Sequence, residues 1–259
     1  MQAVSLPAMA GWQWIVDGWT LFKRQPMALF SWAMFVTLVL IFATFTAPIG
    51  PLLFIILMPA ITLVTLVLTR HVANGEKLMP SMWIEPLKPK GLFKKLLILG
   101  VLYVCICLTV GLMVFLPFAG ELGQAMQTLA DTQDATPLIE TLQMPMLLFA
   151  ACYFILAALF WYSPILIGWH STPIGKALFF SAVACWRNKW AFLVYGAAWA
   201  GIFFGIDLVV GAVVSLGIPL DIAAALQLPL NVFIGSVLYA SFYPTYKKVF
   251  SGIDHISQQ

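Results

Sequence analysis

Charge is scarce in this sequence. Asp, Glu, Lys and Arg together supply 9 % of its 259 residues, where a soluble domain carries about a quarter. Water is therefore the wrong solvent for most of the chain. The net charge is only +3, and with no basic run or stacking-aromatic motif it excludes a nucleic-acid partner. Cysteine is scarce too. Cys105, Cys107, Cys152 and Cys185 all lie within or beside apolar stretches. Such positions suit small hydrophobes, not the disulfide frame of a short polar secreted scaffold. Cys105 and Cys107, two apart on a helix, point to nearly opposite faces and make a poor metal pair. The chain also lacks a Walker loop, a Gly-x-Ser-x-Gly elbow, a Cys-x-x-Cys-His or His-Glu-x-x-His pattern and a paired acidic motif. We therefore expect no cofactor, no metal and no enzymatic activity. The opening "MQAVSLPAMAGWQW" has no basic stretch leading into an apolar core, as a cleavable signal peptide would.

Apolar residues are abundant, at 62 % of the sequence. They gather into six runs near 27–49, 51–70, 93–118, 144–168, 190–217 and 222–246. Each reaches the roughly 20 residues that a membrane-crossing helix needs. The runs are continuously apolar and do not alternate, which excludes membrane strands. "APIGP", with Pro48, Gly50 and Pro51, marks a tight turn between the first two. The expected fold is all-α, an integral-membrane bundle of six antiparallel helices in a single domain.

Lys and Arg set the orientation, because they accumulate on the cytoplasmic side. Lys23 and Arg24 precede the first run. Arg70, Lys77, Lys88, Lys90, Lys94 and Lys95 lie at or between the facing ends of the second and third. Lys176, Arg187 and Lys189 separate the fourth from the fifth, and Lys247 and Lys248 follow the sixth. These are all thirteen. The opposite connections hold none; the longest, "ELGQAMQTLADTQDATPLIETLQMP", carries Glu121, Asp131, Asp134 and Glu140 instead. Both termini are thus expected in the cytoplasm.

Before the first run stands "GWQWIVDGWTLFKRQP". Trp12, Ile15, Trp19 and Phe22 recur at helical spacing, and Pro26 ends the pattern. Before the fifth stands "PIGKALFFSAVACWRNKW", opened by Pro173, with Ile174, Leu178 and Trp186 on one face. Both read as amphipathic helices in the membrane interface. "SMWIEPLKPKGLFKK", before the third run, is a weaker third copy. Three parallel units follow, each a lead-in segment plus a two-span hairpin. The contrary reading is that any cytoplasmic approach to a span is aromatic and then basic.

"SPILIGWHSTPIGKALFFSAVACWRNKWAFLVYGA" resembles the six-span membrane domain attached to some glycerophosphodiester phosphodiesterases, and also related stand-alone bacterial inner-membrane proteins. "GWQWIVDGWTLFKRQPMALF" is similar to an uncharacterised branch of that group. The resemblance covers nearly the whole chain and rests on pattern. It implies the six-span fold and the bacterial inner membrane. It does not imply phosphodiesterase activity, which in that family belongs to a separate soluble domain.

Asp207, inside the fifth run, is the sharpest candidate residue. An ionisable group in hydrocarbon is costly and usually faces an interior or water. It is either a proton or cation site, a polar lock between helices, or a carboxylate near the outer interface. Gln227 and Asn231, near the start of the sixth run, could bond to it across the bundle. Ala197, Gly201 and Gly205 form a small-residue ladder that lets helices approach closely, either as an internal packing face or as an oligomer face, and internal packing is the expected use. Pro59, Pro164 and Pro244 fall in the three returning spans, where each frees a backbone carbonyl. His71 and His170, at span ends, are expected to be interfacial. The leading functional expectation is a non-enzymatic accessory or scaffold protein that contacts the lipid bilayer and a membrane-protein partner or another copy of itself. The alternative is a small transporter or lipid-handling protein with its site near Asp207.

Overall fold

The computed structural model describes residues 3–251. They form ten α-helices: α1 (Ala10–Arg24), α2 (Pro26–Thr44), α3 (Ile49–Ala73), α4 (Leu92–Phe115), α5 (Ala119–Thr132), α6 (Thr136–Phe160), α7 (Ser163–His170), α8 (Ile174–Arg187), α9 (Lys189–Ser215) and α10 (Leu220–Val249). There are no strands among the described residues. Six helical stretches are long and apolar enough to cross a membrane: α2, α3, α4 continuing into α5, α6 continuing into α7, α9 and α10.

The spans differ from the sequence reading mainly at their ends. The first stops at Thr44, not near 49, and Pro51 sits in the first turn of α3. The fourth starts at Thr136 and breaks after Phe160. Pro164 opens α7 and supplies no amide hydrogen. The Tyr162 amide freed at this break donates to Ser181 Oγ at 2.9 Å, and Ser181 Oγ donates to Ala158 O at 2.8 Å. The long acidic connection is not a loop. Glu121 to Thr132 lie in α5 and only Gln133–Ala135 turn.

The amphipathic segments also depart from expectation. The buried stripe of α1 is Gly11, Trp14, Ile15, Gly18, Leu21 and Phe22, with Trp14 fully enclosed. Trp12 and Trp19, grouped with Ile15 and Phe22 by their helical spacing, are 46 % and 41 % exposed, whereas Ile15 and Phe22 are buried. In α8 the buried residues are Ala177, Ser181, Ala184 and Cys185, whereas Trp186 is 72 % exposed. The third segment is not an amphipathic helix. It folds as two short 3₁₀ turns, Pro80–Trp83 and Glu85–Leu87. Pro80, Pro86 and Pro89 remove the donors that a continuous helix requires.

The three units nevertheless pack as a cycle. Each lead-in segment docks on the returning span of the unit before it: α1 on α10, the 3₁₀ turns on α3, α8 on α6 and α7. Two outward spans follow the same rule, α4 on α3 and α2 on α10. Gly100 makes the first of these close, since a Cβ there would lie 2.0 Å from Ile56 O. The third seam is different. Trp161 bridges it against Phe192 and Tyr195, with ring centroids 5.4 and 6.2 Å apart. Beyond that bridge α6 and α9 do not pack on one another.

Two amide side chains repeat one motif. Gln25, the single residue between α1 and α2, accepts from Leu78 N at 2.9 Å and donates to Glu76 O at 2.6 Å. Asn188, the single residue between α8 and α9, accepts from Leu6 N at 2.9 Å and donates to Val4 O at 2.9 Å. Each amide thus clamps the chain approaching another unit through residues n and n+2.

The core sits at the basic end. Leu63, Leu68, Val72, Leu96, Leu99, Ile165 and Leu166 are almost wholly enclosed there. In the opposite half Phe45, Leu112, Met113, Leu147, Phe204 and Leu216 are all more than three-fifths exposed. Burying a large side chain is worth about 1.5–3 kcal/mol in water. That drive is absent in lipid, so such surfaces are stable only in an apolar medium.

Candidate functional site

Two places gather polar groups among the spans. The first is at the basic end, where the three returning spans meet. Arg70 of α3 lies over the Trp169 ring of α7, 4.8 Å from its centroid. Trp169 packs edge-on against Tyr246 of α10 at 5.1 Å. His170 Nε2 bonds the Tyr246 hydroxyl at 2.6 Å. His71 bonds the Glu76 carboxylate, which holds Glu76 below the usual carboxylate range, with Asn74 adding to the effect. The two histidines therefore have separate partners. No group of three or more His, Cys, Asp or Glu fit for a metal occurs among the described residues. All four cysteines are free thiols. A cleft of about 270 Å³ opens beside His71, Glu85 and Trp169, floored by Leu63, Val67 and Leu92. It is smaller than most small-molecule sites.

Pro59, Pro164 and Pro244 are all buried. Around them polar pairs tie the spans together. Trp32 Nε1 donates to Thr65 Oγ1 at 2.9 Å between α2 and α3. The Tyr195 hydroxyl meets Ser241 Oγ at 2.5 Å between α9 and α10. Sequence reasoning passed over these residues, since Trp, Tyr, Ser and Thr are unremarkable in a span.

The second place lies in the opposite half. Gln227 Nε2 donates to Asp207 Oδ1 at 2.8 Å, joining α10 to α9. Asn231, one turn further along α10, is not brought to Asp207. Asp207 is exposed on the outside of the hairpin, where an interior ion path would enclose it. Its depth follows from helix geometry. At 27 residues α9 is about 40 Å long, against a hydrocarbon core of roughly 30 Å. Asp207 lies eight residues before Ser215, about 12 Å from the helix end. A helix of this length centred on such a core carries the carboxylate several ångströms inside the hydrocarbon.

The glycine ladder is open. Ala197 and Gly201 are exposed, and a Cβ at Gly201 or Gly205 would have no neighbour within 4 Å. Internal packing, the expected use of Ala197, Gly201 and Gly205, is not what they do. The close approaches occur elsewhere, at Gly11 against Ala191 and Gly18 against Ser241. The spacing of Gly11, Trp14 and Gly18 on α1 was the available signal.

The chain is 31 % identical over 254 residues to a protein of Burkholderia thailandensis named as a probable inner membrane protein, covering 96 % of this chain and 94 % of the relative. No protein-family model matches the chain. No solved structure matches it.

Proposed function

This chain belongs to the same family as that Burkholderia protein, named as a probable inner membrane protein, and from that premise we propose that it is a non-enzymatic scaffold of the inner membrane. It holds a second membrane protein against the outer half of its α9–α10 hairpin. Both termini and all Lys and Arg side chains face the cytoplasm, in keeping with the one-sided placement of positive charge.

One observation carries the reading. The Asp207–Gln227 pair is exposed between two helices long and apolar enough to cross a membrane, where lipid supplies no hydrogen bonds. Intramembrane ionisable groups are expensive and normally face protein or water. Beside the pair runs the open ladder of Ala197, Gly201 and Gly205, the kind of surface on which another helix packs closely. A partner on this face would satisfy the free valences of the carboxylate. The lipid-handling and transport alternative also depends on Asp207, and the outward position of that residue favours association over passage. The pattern shared with the phosphodiesterase-linked membrane domain lends no catalytic role.

Photo-crosslinking in cells tests the proposal. A photoreactive amino acid replacing Leu208, which is 58 % exposed beside Asp207, should give a discrete heavier protein adduct. An adduct of twice the mass would identify the partner as a second copy of the chain. Asp207→Leu or Gly205→Leu should abolish the adduct. Crosslinks to lipid alone would refute the scaffold reading.

A further inference from the structure

The corner where α8 meets α9 has a different character from the rest of the surface. α8 packs inward through small residues, Ala177, Ser181 and Ala184. Its outer side carries large rings. Phe179 is 63 % exposed and Trp186 72 %, and Trp190 at the start of α9 is 63 % exposed. Rings of this size on a helix that is not itself a span require an apolar boundary beside them, and Trp prefers the headgroup level of a bilayer.

Three cations stand among these rings. Lys176 and Arg187 are eleven residues apart on α8, which puts them on one side of the helix and about 16 Å apart. Lys189 Nζ lies 4.6 Å from the Trp186 ring centroid and 5.8 Å from that of Trp190. Such contacts hold the ammonium at the level of the indoles.

No acid balances this charge. From Thr141 to Ile206 the sequence contains neither Asp nor Glu. Among the described residues no carboxylate pairs with Lys176, Arg187 or Lys189, whereas Lys248 is paired with Asp17 at 2.5 Å. The corner is also rigid. Asn188, 1 % exposed, is fixed by bonds to Val4 O, Ala184 O and Leu6 N. The cations on either side of it are thus presented by a fixed backbone.

We propose that this corner binds the headgroup of an anionic phospholipid. Lys189 and Arg187 contact the phosphate, Lys176 adds to the field, and the rings of Phe179, Trp186 and Trp190 lie against the upper acyl chains. The rings distinguish this occupant from a soluble anion, which would leave them uncovered. The site is independent of the Asp207 hairpin and does not rest on the scaffold reading.

Native mass spectrometry of the full chain in detergent micelles tests the proposal, with phosphatidylglycerol and phosphatidylcholine offered at equal concentration and melting followed in parallel. Wild type should retain phosphatidylglycerol preferentially and melt higher in its presence. Lys189→Gln and Arg187→Gln should each bind it about five-fold more weakly, the effect of one interfacial cation. Lys189→Arg and the distant Lys88→Gln should behave as wild type. Unchanged melting of Lys189→Gln without lipid would show that its fold is intact; if that variant melts early, Arg187→Gln carries the comparison. Equal retention of the two lipids, undiminished binding in the Gln variants, or the same melting shift from inorganic phosphate would each overturn the proposal.

Discussion

Gly18 of α1 and Ser241 of α10 approach so closely that a Cβ on Gly18 would lie 2.5 Å from the Ser241 Cβ. The contact makes α1 part of the bundle core, not an appendage on the membrane surface. Overpacking a tight contact costs about 1–3 kcal/mol, and here the backbone of Ser241 is also within 2.8 Å. Gly18→Val should therefore lower the melting temperature sharply in detergent. Gly201→Val should leave it unchanged, because a Cβ at Gly201 meets nothing. Equal effects at the two positions would contradict the packing described.

The amide clamps make a second prediction. Asn188 is buried and bonds two carbonyls and one amide. Asn188→Leu leaves those groups without partners, at about 1–3 kcal/mol for each one that stays dry. The variant should melt lower, and limited proteolysis should cut earlier near Val4. Gln25→Leu should weaken the 76–78 segment in the same way.

The break between α6 and α7 makes a third. Ser181 is the acceptor for the Tyr162 amide and sits fully buried. Ser181→Ala should cost about 1–3 kcal/mol, the penalty for an unmatched buried donor. Pairing it with Pro164→Ala should not restore stability, since the Tyr162 amide lies before the proline. Full recovery in the double variant would argue against this account.

Cys185 offers a chemical test. Burial pushes its thiol from 9.0 up to about 12, and a bond with Ser181 offsets this only in part. The raised value favours the neutral thiol. Its contribution to stability is complete below pH 9 and is lost as the pH rises towards 12. In a variant retaining only this cysteine, a maleimide at pH 8 should label the protein after denaturation in dodecyl sulfate and not before. Rapid labelling of the folded protein would show the thiol to be accessible.

Much of this architecture is written in the order of residues. Run length alone locates the six spans, and the placing of Lys23 through Lys248 at one end shows how they alternate. The inward burial of α1 was harder to read. Its large aromatics divide between the two sides, Trp12 and Trp19 exposed and Trp14 and Phe22 buried, and the closest approaches on the packing face are made by two glycines whose role emerges only against Ala191 and Ser241. The α5 segment looked like a loop because it is polar, although Glu, Leu, Gln, Ala and Met are strong helix formers. Asp207 was visible as a rare intramembrane acid, but its partner depends on hairpin geometry. The turn centres near Gly217, so a residue ten places before it faces one ten places after, which is Gln227 and not Asn231. The open α6–α9 seam has no counterpart in sequence at all, since a span that faces lipid and one that faces another helix are equally apolar.

The orientation of the bundle and the depth of Asp207 both depend on all the Lys and Arg residues lying on the cytoplasmic side. Replacing Asp131, at the far end of the bundle in α5, by cysteine tests this directly. In intact cells, a membrane-impermeant thiol reagent admitted only to the outer face should label Asp131→Cys and should leave a cysteine at Lys88 unlabelled. Labelling of Lys88→Cys with protection of Asp131→Cys would contradict the topology.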